Sequence, residues 1–184
     1  MYANNIGTQF VQHIYDSYLP IGNLNAGLSV NLVENDNCEH PAITFDPSAG
    51  RSGLYILVYG QPGGATKPHG VIYRTKSSIS QTWSAPQTIS SSSFLSGGWR
   101  NEYTNIDYYN GSIYYTYMHR DSTQPYNHTI AVAKGSWYGR GGYNFNITLP
   151  ISTPSLESHS DIASGLLVHD RRIYANYDVA IQYE

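Results

Sequence analysis

This chain has little charge, a single cysteine and no long apolar run, and each shortage excludes a class of protein. Charged residues make up 12% of its 184 residues, about half of the usual quarter. Cys38 stands alone, which excludes an intrachain disulfide framework. The net charge is -3 and no Lys/Arg cluster exists, so the basic face that nucleic-acid binding needs is missing. No apolar run approaches the roughly 20 residues of a membrane span.

Two further signals are also missing from the sequence. The start of the chain has neither the basic segment nor the apolar segment of a signal peptide. An extracellular or virion-surface location would then require lysis, another route or the loss of a leader. The histidines at 13, 69 and 128 lack metal-ligand spacing, so we predict no zinc site. We also predict no cofactor.

Glycine, serine, asparagine and tyrosine take the place of the missing charges, and the chain contains 18 tyrosines. The stretch 107–117 predicts a β-hairpin, because Asn110-Gly111 suits a turn in which both central residues have positive φ. Tyrosine, isoleucine and threonine flank this turn, and these residues fit a pleated strand. Similar hairpins are predicted at 42–59 and 162–177.

The second strands of these three hairpins recur at a regular interval. They begin at Leu54, Ile113 and Ile173, which are 59 (113 − 54) and 60 (173 − 113) residues apart. A period of about 60 residues is close to the length of a propeller blade. Each of the first two repeats holds four predicted strands, the number in a blade. We therefore predict an all-β fold of propeller-like, four-stranded antiparallel sheets.

The predicted organisation is an N-terminal arm at 1–37 and a repeat domain at 38–184. The repeats are predicted at 38–96, 97–156 and 157–184. In the arm, residues 28–33 alternate strictly, which predicts a half-buried strand. The last repeat is short of strands, and 28–33 is a candidate to complete it, since closure removes an exposed sheet edge. Two and a half repeats do not close a ring, so we expect a longer parent chain, several copies or a different stacking.

Residues 76–89 resemble the Asp-box, or BNR, segment of sialidase-type propellers. The motif is Ser-x-Asp-x-Gly-x-Thr-Trp, and its end is matched by Thr82-Trp83. Its Ser, Asp and Gly positions are held here by Lys76, Ser78 and Ser80. The similarity extends over 38–178 and implies a β-propeller fold.

This resemblance implies more about fold than about function. In the family the box shapes the hairpin between the outer strands of a blade and does not catalyse. Sialidases of the family use three arginines, a Tyr/Glu nucleophile pair and an Asp acid/base, and their Arg-Ile-Pro signature is absent here. No catalytic residue is assigned to this chain.

Ionisable residues stand just before the first strand of each repeat, and they are the first candidate site. They are Glu39, His40, Arg100, Glu102, His159 and Asp161. Because first strands line the channel of a propeller, we expect these residues to meet at one mouth. Such a pocket suits a sugar or a cation, and a carboxylate pair also suits glycoside hydrolysis. The alternative is that strand ends carry ordinary solvated residues.

Aromatic residues beside glycine-rich turns are the second candidate, because aromatic faces stack on sugar rings. They are Trp99, Trp137, Tyr138 and Tyr143. The alternative is packing between sheets. Three N-glycosylation patterns begin at Asn110, Asn127 and Asn146.

The favoured function is a non-enzymatic glycan-binding or virion/cell-surface module, because the composition resembles that of phage tail-fibre proteins that bind receptors. Its expected partner is a glycan or cell-surface polysaccharide, and a homo-oligomer or larger assembly is expected. One alternative is a fragment of a sialidase-like glycoside hydrolase that uses Glu102 and Asp161. Another is a purely structural, self-assembling protein.

Overall fold

The computed structural model describes residues 13–19, 22–23, 29–34, 38–61, 70–89, 101–120, 128–139, 142–150, 158–159, 163–177 and 180–181. All regular secondary structure in these ranges is β-strand, which confirms the all-β prediction. In these same ranges there is no helix of the length and apolarity needed to cross a membrane.

The strands are numbered along the chain. They are β1 (Ile14–Tyr18), β2 (Ser29–Glu34), β3 (Glu39–Asp46), β4 (Leu54–Gln61), β5 (Gly70–Lys76), β6 (Gln87–Thr88), β7 (Asn101–Tyr109), β8 (Ser112–Arg120), β9 (His128–Trp137), β10 (Tyr143–Pro150), β11 (Ser158–His159), β12 (Ala163–His169), β13 (Arg172–Tyr177) and β14 (Ala180–Ile181).

Two four-stranded antiparallel sheets make up the centre of the described structure. Their strand orders are β3-β4-β5-β6 and β10-β9-β8-β7, so each sheet follows the chain from one edge to the other. We call them the first sheet and the second sheet. Three two-stranded sheets accompany them, formed by β1 with β2, β12 with β13, and β11 with β14. The four strands predicted for each of the first two repeats are therefore present.

The tight turn predicted at Asn110-Gly111 joins β7 to β8. Both residues have positive φ, at 46° and 78°, as a type I′ turn requires. The turn of the third hairpin has the same conformation, but it is built from Asp170 and Arg171, with φ of 48° and 60°. An arginine thus occupies the left-handed position that glycine holds in the second repeat.

Each repeat carries one extra residue near the start of its first strand. These β-bulges lie between Glu39 and Ala42, between Glu102 and Asn105, and between Ala163 and Gly165. The residues opposite them are Val58, Thr116 and Asn176, which are 58 (116 − 58) and 60 (176 − 116) residues apart. The period of about 60 residues predicted from the sequence is therefore visible as a recurring bulge, a feature that bends a strand and re-aims its side chains.

An apolar core lies between the first and second sheets. Ile56 and Val58 of β4 share one buried cluster with Ile113 and Tyr115 of β8. Phe145 of β10 completes it, with its ring centroid 5.5 Å from that of Tyr115 in an edge-to-face contact. Because β4 alternates, its neighbouring residues turn to the opposite face of the sheet.

The β1–β2 hairpin covers that opposite face. Leu57 and Tyr59 of β4 are buried in a second cluster with Ile14 of β1 and with Cys38. The strand predicted at 28–33 is present as β2. In the described structure it pairs with β1 over the first sheet, whereas β12 of the third repeat pairs with β13 and not with β2.

The first strands of successive repeats are neighbours, since β7 contacts both β3 and β12. The backbone N–H of Val168 in β12 donates a 2.7 Å hydrogen bond to the Asp107 carboxylate of β7. The third hairpin is thereby held on the second sheet.

Candidate functional site

Four of the six ionisable residues predicted to share one mouth lie in strands of the described structure. Glu39 begins β3 and Glu102 is the second residue of β7, and a bulge follows each of them. His159 lies in β11, which pairs with β14. The side chains of these three residues lie outside the described part of the chain, as do Arg100 and Asp161. Their convergence stays a prediction.

His40 is half-buried and has a φ of 51°, within the bulge that separates Glu39 from Ala42. A left-handed backbone at a residue other than glycine costs on the order of 1 kcal/mol or more, and such strain is often found at functional sites.

A cleft of about 350 Å³ opens between the last strands of the two sheets. Ligand pockets in proteins commonly measure about 300–1,000 Å³. Strand β6 of the first sheet contributes Gln87 and Thr88 to one wall, and the β9–β10 end of the second sheet contributes Tyr138 and Asn144. These four residues are exposed. We call this the aromatic cleft.

Buried aromatic rings form the floor of the aromatic cleft. Tyr73 of β5 lies edge-on to Tyr143 of β10, with centroids 6.2 Å apart and planes at 87°. Tyr73 also meets Phe145 at 5.2 Å. Edge-to-face pairs of this kind are the favoured geometry for aromatic side chains. The floor therefore joins the two sheets and is held rigid by both.

Trp137, predicted from its sequence position to be a binding residue, does not line the cleft. It is half-buried, and its ring centroid lies 5.2 Å from that of Tyr143. Tyr138 and Tyr143, predicted in the same group, both line the cleft. Trp99, the remaining member of the group, lies outside the described residues.

The hydroxyl groups of the floor tyrosines are engaged in hydrogen bonds inside the protein. Tyr143 Oη donates to Oδ2 of the buried Asp46 at 2.7 Å, and Asp46 also accepts bonds from the Ser48 amide and hydroxyl. Tyr73 Oη donates to Oε1 of Gln87. Burial raises the pKa of both tyrosines, and the bond to Asp46 raises the pKa of Tyr143 further. Both phenols therefore stay neutral well above neutral pH.

A glycine-rich turn sets the position of Tyr138. Gly139 and Gly142 have φ of 92° and 94°, and a 3.0 Å hydrogen bond runs from the Gly142 amide to the Gly139 carbonyl. A Cβ on Gly142 would lie 2.8 Å from Tyr73 Oη. Glycine at 142 thus allows the turn to approach the floor, with Tyr138 exposed beside it.

The lining of the aromatic cleft suits binding more than catalysis. It offers amides, hydroxyls and aromatic rings, and tyrosine is its only ionisable type of residue within the described part of the chain. Hydrolysis of a glycosidic bond uses a pair of carboxyl groups, and no described carboxyl group lines this cleft. No local signal in the sequence marks Gln87 or Asn144, because these residues meet only when the two sheets pack.

Comparison with protein-family models, with curated proteins and with solved structures finds no match to this chain. Among the residues that the structure describes, no group of three His, Cys, Asp or Glu side chains is placed to hold a metal ion. What the chain does must therefore be inferred from its own surface.

Proposed function

We propose that this chain is a non-enzymatic carbohydrate-binding module of a virion or cell surface, and that its aromatic cleft holds the sugar. The observation that supports this most is the exposed ring of Tyr138 beside the neutral polar groups of Gln87, Thr88 and Asn144. A sugar presents an apolar ring face together with hydroxyl groups. A stacking ring and several amide or hydroxyl groups complement both.

The chemistry of the cleft favours a neutral sugar. Among the described residues, no charged side chain lines the walls, so binding to these residues would depend on stacking and neutral hydrogen bonds. The rigid aromatic floor lowers the entropic cost of ordering the site, which raises affinity for a given set of contacts.

The repeated sheets support a propeller-like arrangement related to BNR repeats. Successive first strands contact one another, as they do around the channel of a propeller. The segment 77–86 connects the third and fourth strands of the first sheet, the place that the Asp-box takes in that family. Two hydrogen bonds between Thr75 and Ser84 close this segment, at 2.8 and 3.0 Å.

Exposed apolar residues on the β1–β2 and β12–β13 hairpins support a larger assembly. Tyr15, Val30 and Leu32 are exposed on the β1–β2 hairpin, and Leu167 and Tyr174 are exposed on the β12–β13 hairpin. Exposed apolar patches often mark association surfaces. We expect native mass spectrometry to show a homo-oligomer of defined size, and a monomer at micromolar concentration would count against self-assembly of this chain.

The binding proposal is tested by a glycan array followed by calorimetry with matched variants. We expect Tyr138→Ala to weaken the best sugar on the array about tenfold, because a stacked ring contributes on the order of 1–1.5 kcal/mol. Tyr15→Ala is the matched control, since Tyr15 is 58% exposed and Tyr138 is 62% exposed. An empty array, or equal losses in the two variants, would contradict the proposal.

A glycoside hydrolase is the second candidate, and the recurring bulges favour it. They lie beside Glu39 and Glu102 on contacting strands, and bulges are common next to active sites. In this case Glu102→Gln and Asp161→Asn should abolish hydrolysis of a glycoside. No turnover by the unaltered chain on a broad substrate panel would exclude it. An empty array together with ordered self-assembly would instead favour a purely structural protein.

A further inference from the structure

A second cleft, of about 270 Å³, lies between the second sheet and the third hairpin. Its lining includes Tyr109, Asn110, Tyr114, Lys134, Arg171 and Ile173. We propose that this cleft binds a small anionic ligand, in which a carboxylate or phosphate group is attached to a ring. We call it the cationic cleft.

Two cations face the cationic cleft from different elements. Lys134 projects from β9 directly opposite Tyr114 of β8, and its Nζ lies 5.8 Å from the centroid of that ring. Arg171 reaches the cleft from the turn between β12 and β13. Both side chains are exposed, so folding does not remove either charge from water and carries no desolvation cost for them.

Two carboxylates, those of Asp107 and Asp170, lie near this cleft, and neither forms an ion pair with these cations in the described part of the chain. Asp107 accepts hydrogen bonds from the backbone amides of Tyr108 and Val168, at 2.8 and 2.7 Å. Asp170 precedes Arg171 in the turn and is exposed, but it does not line the cleft. In the described part of the chain, neither Arg171 nor Lys134 is within ion-pair distance of a carboxylate.

The backbone at Arg171 gives an independent reason to assign it a binding role. Its φ is 60°, while the matching position of the second repeat is Gly111, with φ of 78°. Glycine occupies this conformation without steric cost, and an arginine there is strained. Strain at a residue whose side chain lines a cleft is explained if the side chain serves a function that glycine cannot.

The two cations and two rings define the chemistry of the ligand. A planar guanidinium can form two parallel hydrogen bonds to a carboxylate or phosphate, and an ammonium adds a point charge. Tyr109 and Tyr114 are half-buried beside them and offer contact area for a ring. The volume limits the ligand to a small molecule or to one terminal residue of a larger one.

This inference goes beyond the proposed function, because the cationic cleft and the aromatic cleft share no lining residue. Binding at one cleft can fail while binding at the other is observed. Variants at 138 report on the aromatic cleft, and variants at 134 and 171 report on the cationic one.

The test is a titration followed by NMR and calorimetry, with glucuronate, glucose 6-phosphate and glucose as probes. We expect at least one of the two acidic probes to bind and glucose to give no response at this cleft. Binding to glucuronate alone identifies a carboxylate site, and binding to glucose 6-phosphate alone identifies a phosphate site. Added salt should weaken either interaction, because the charges are exposed.

The variants distinguish a binding role from a structural one. Arg171→Gly should weaken the acidic probe about tenfold while raising the melting temperature, because the strained position then carries glycine. Lys134→Gln should weaken it by a similar factor. Arg172→Gln is the matched control, since Arg172 is exposed next to the turn but does not line the cleft. An equal response to glucose, no response to either acid, or an equal loss in the control would overturn the proposal.

Discussion

The first sheet is covered on both faces, but by different chemistry. On the side of the second sheet the contact is apolar and aromatic, with Phe145 at its centre. On the side of the β1–β2 hairpin a smaller apolar cluster is joined by two ion pairs. Arg74 pairs with Glu34 at 2.5 Å, and Lys76 pairs with Asp16.

The ion pairs belong to a hydrogen-bonded network. Arg74 donates from Nε to Tyr59 Oη at 3.0 Å and from Nη1 to the Ser84 carbonyl at 2.8 Å. Tyr59 Oη in turn donates to Glu34 at 3.1 Å. Burial lowers the pKa of Arg74, and its bonds to Tyr59 and Glu34 outweigh that effect, so the net pKa is raised. Burial also raises the pKa of Tyr59.

The two faces therefore contribute differently. Burial of apolar surface contributes about 25 cal/mol per Å², so the aromatic face supplies stability to the pair of sheets that forms the cleft. Buried ion pairs add little net stability, because desolvation offsets their attraction, yet breaking one is costly. The hairpin face thus fixes where β1 and β2 sit more than it stabilises them.

The largest expected effect comes from a substitution in the apolar core between the first and second sheets. Phe145→Ala should lower the free energy of unfolding by about 3–5 kcal/mol, because it removes a buried ring and leaves a cavity. Denaturant unfolding measures this loss. Ile173→Ala is the control, since Ile173 is 41% exposed and should cost less than about 1 kcal/mol. Similar costs for the two variants would show that the apolar face is not the source of stability.

The next largest loss of stability is expected when an ion pair between the first sheet and the β1–β2 hairpin is broken. Lys76→Met leaves the Asp16 carboxylate without its cation and should cost about 3 kcal/mol. Adding Asp16→Leu should recover part of this loss, because the unpaired charge is then gone. A double-mutant cycle by denaturant unfolding measures the coupling. Additive losses would mean that the pair does not act as a unit.

The hydrogen bond from Tyr143 to Asp46 is a polar contact within the apolar core between the two sheets. Tyr143→Phe should cost about 2 kcal/mol, since the buried carboxylate loses a donor. Thermal unfolding at neutral pH measures this cost, with Tyr174→Phe at an exposed position as the control.

The same tyrosine predicts a pH dependence. A tyrosine whose pKa is raised by folding keeps its proton in the folded chain at a pH where the unfolded chain has lost it. The contribution of this tyrosine to the free energy of unfolding is then fully present below its ordinary pKa of 10.0, and it is lost as the pH rises above that value. Tyr59 and Tyr73 act in the same direction. We expect Tyr143→Phe to make the alkaline loss less steep, and an unchanged slope would show that Tyr143 is not responsible.

The smallest effect is expected from a substitution that gives the second repeat the residue found at the matching position of the first. Thr116 lies opposite the bulge of the second repeat, where the first repeat has Val58. Among the described residues, Thr116 Oγ1 is buried without a hydrogen-bond partner. Thr116→Val should therefore raise stability by about 1 kcal/mol. Ser84→Ala should do the opposite, because Ser84 Oγ accepts a bond from the Thr75 amide. Destabilisation by Thr116→Val would contradict the equivalence of the two positions.

Structural features that are set by residues adjacent in sequence were predictable from the sequence. The turn at Asn110-Gly111 and the strands that flank it are confirmed, because positive φ and alternation leave local signals. The partner of the strand at 28–33 was not predictable, since alternation shows that one face is buried but not which strand lies beside it.

The candidate cleft was only partly predictable, because it forms between two sheets. Tyr138 and Tyr143 were singled out by their place beside glycines, and both line it. Gln87 and Asn144 are 57 residues apart (144 − 87) and have no shared spacing that marks them. Only the packing of β6 near β10 brings them to one cleft.

Chemical-shift mapping of the chain with the best sugar on a glycan array tests most directly whether the aromatic cleft between the two sheets binds sugar. The largest shifts should occur at Gln87, Thr88, Tyr138 and Asn144. Largest shifts at 39–40 and 101–102, with the cleft residues unchanged, would contradict the claim and place the site at the ends of the first strands.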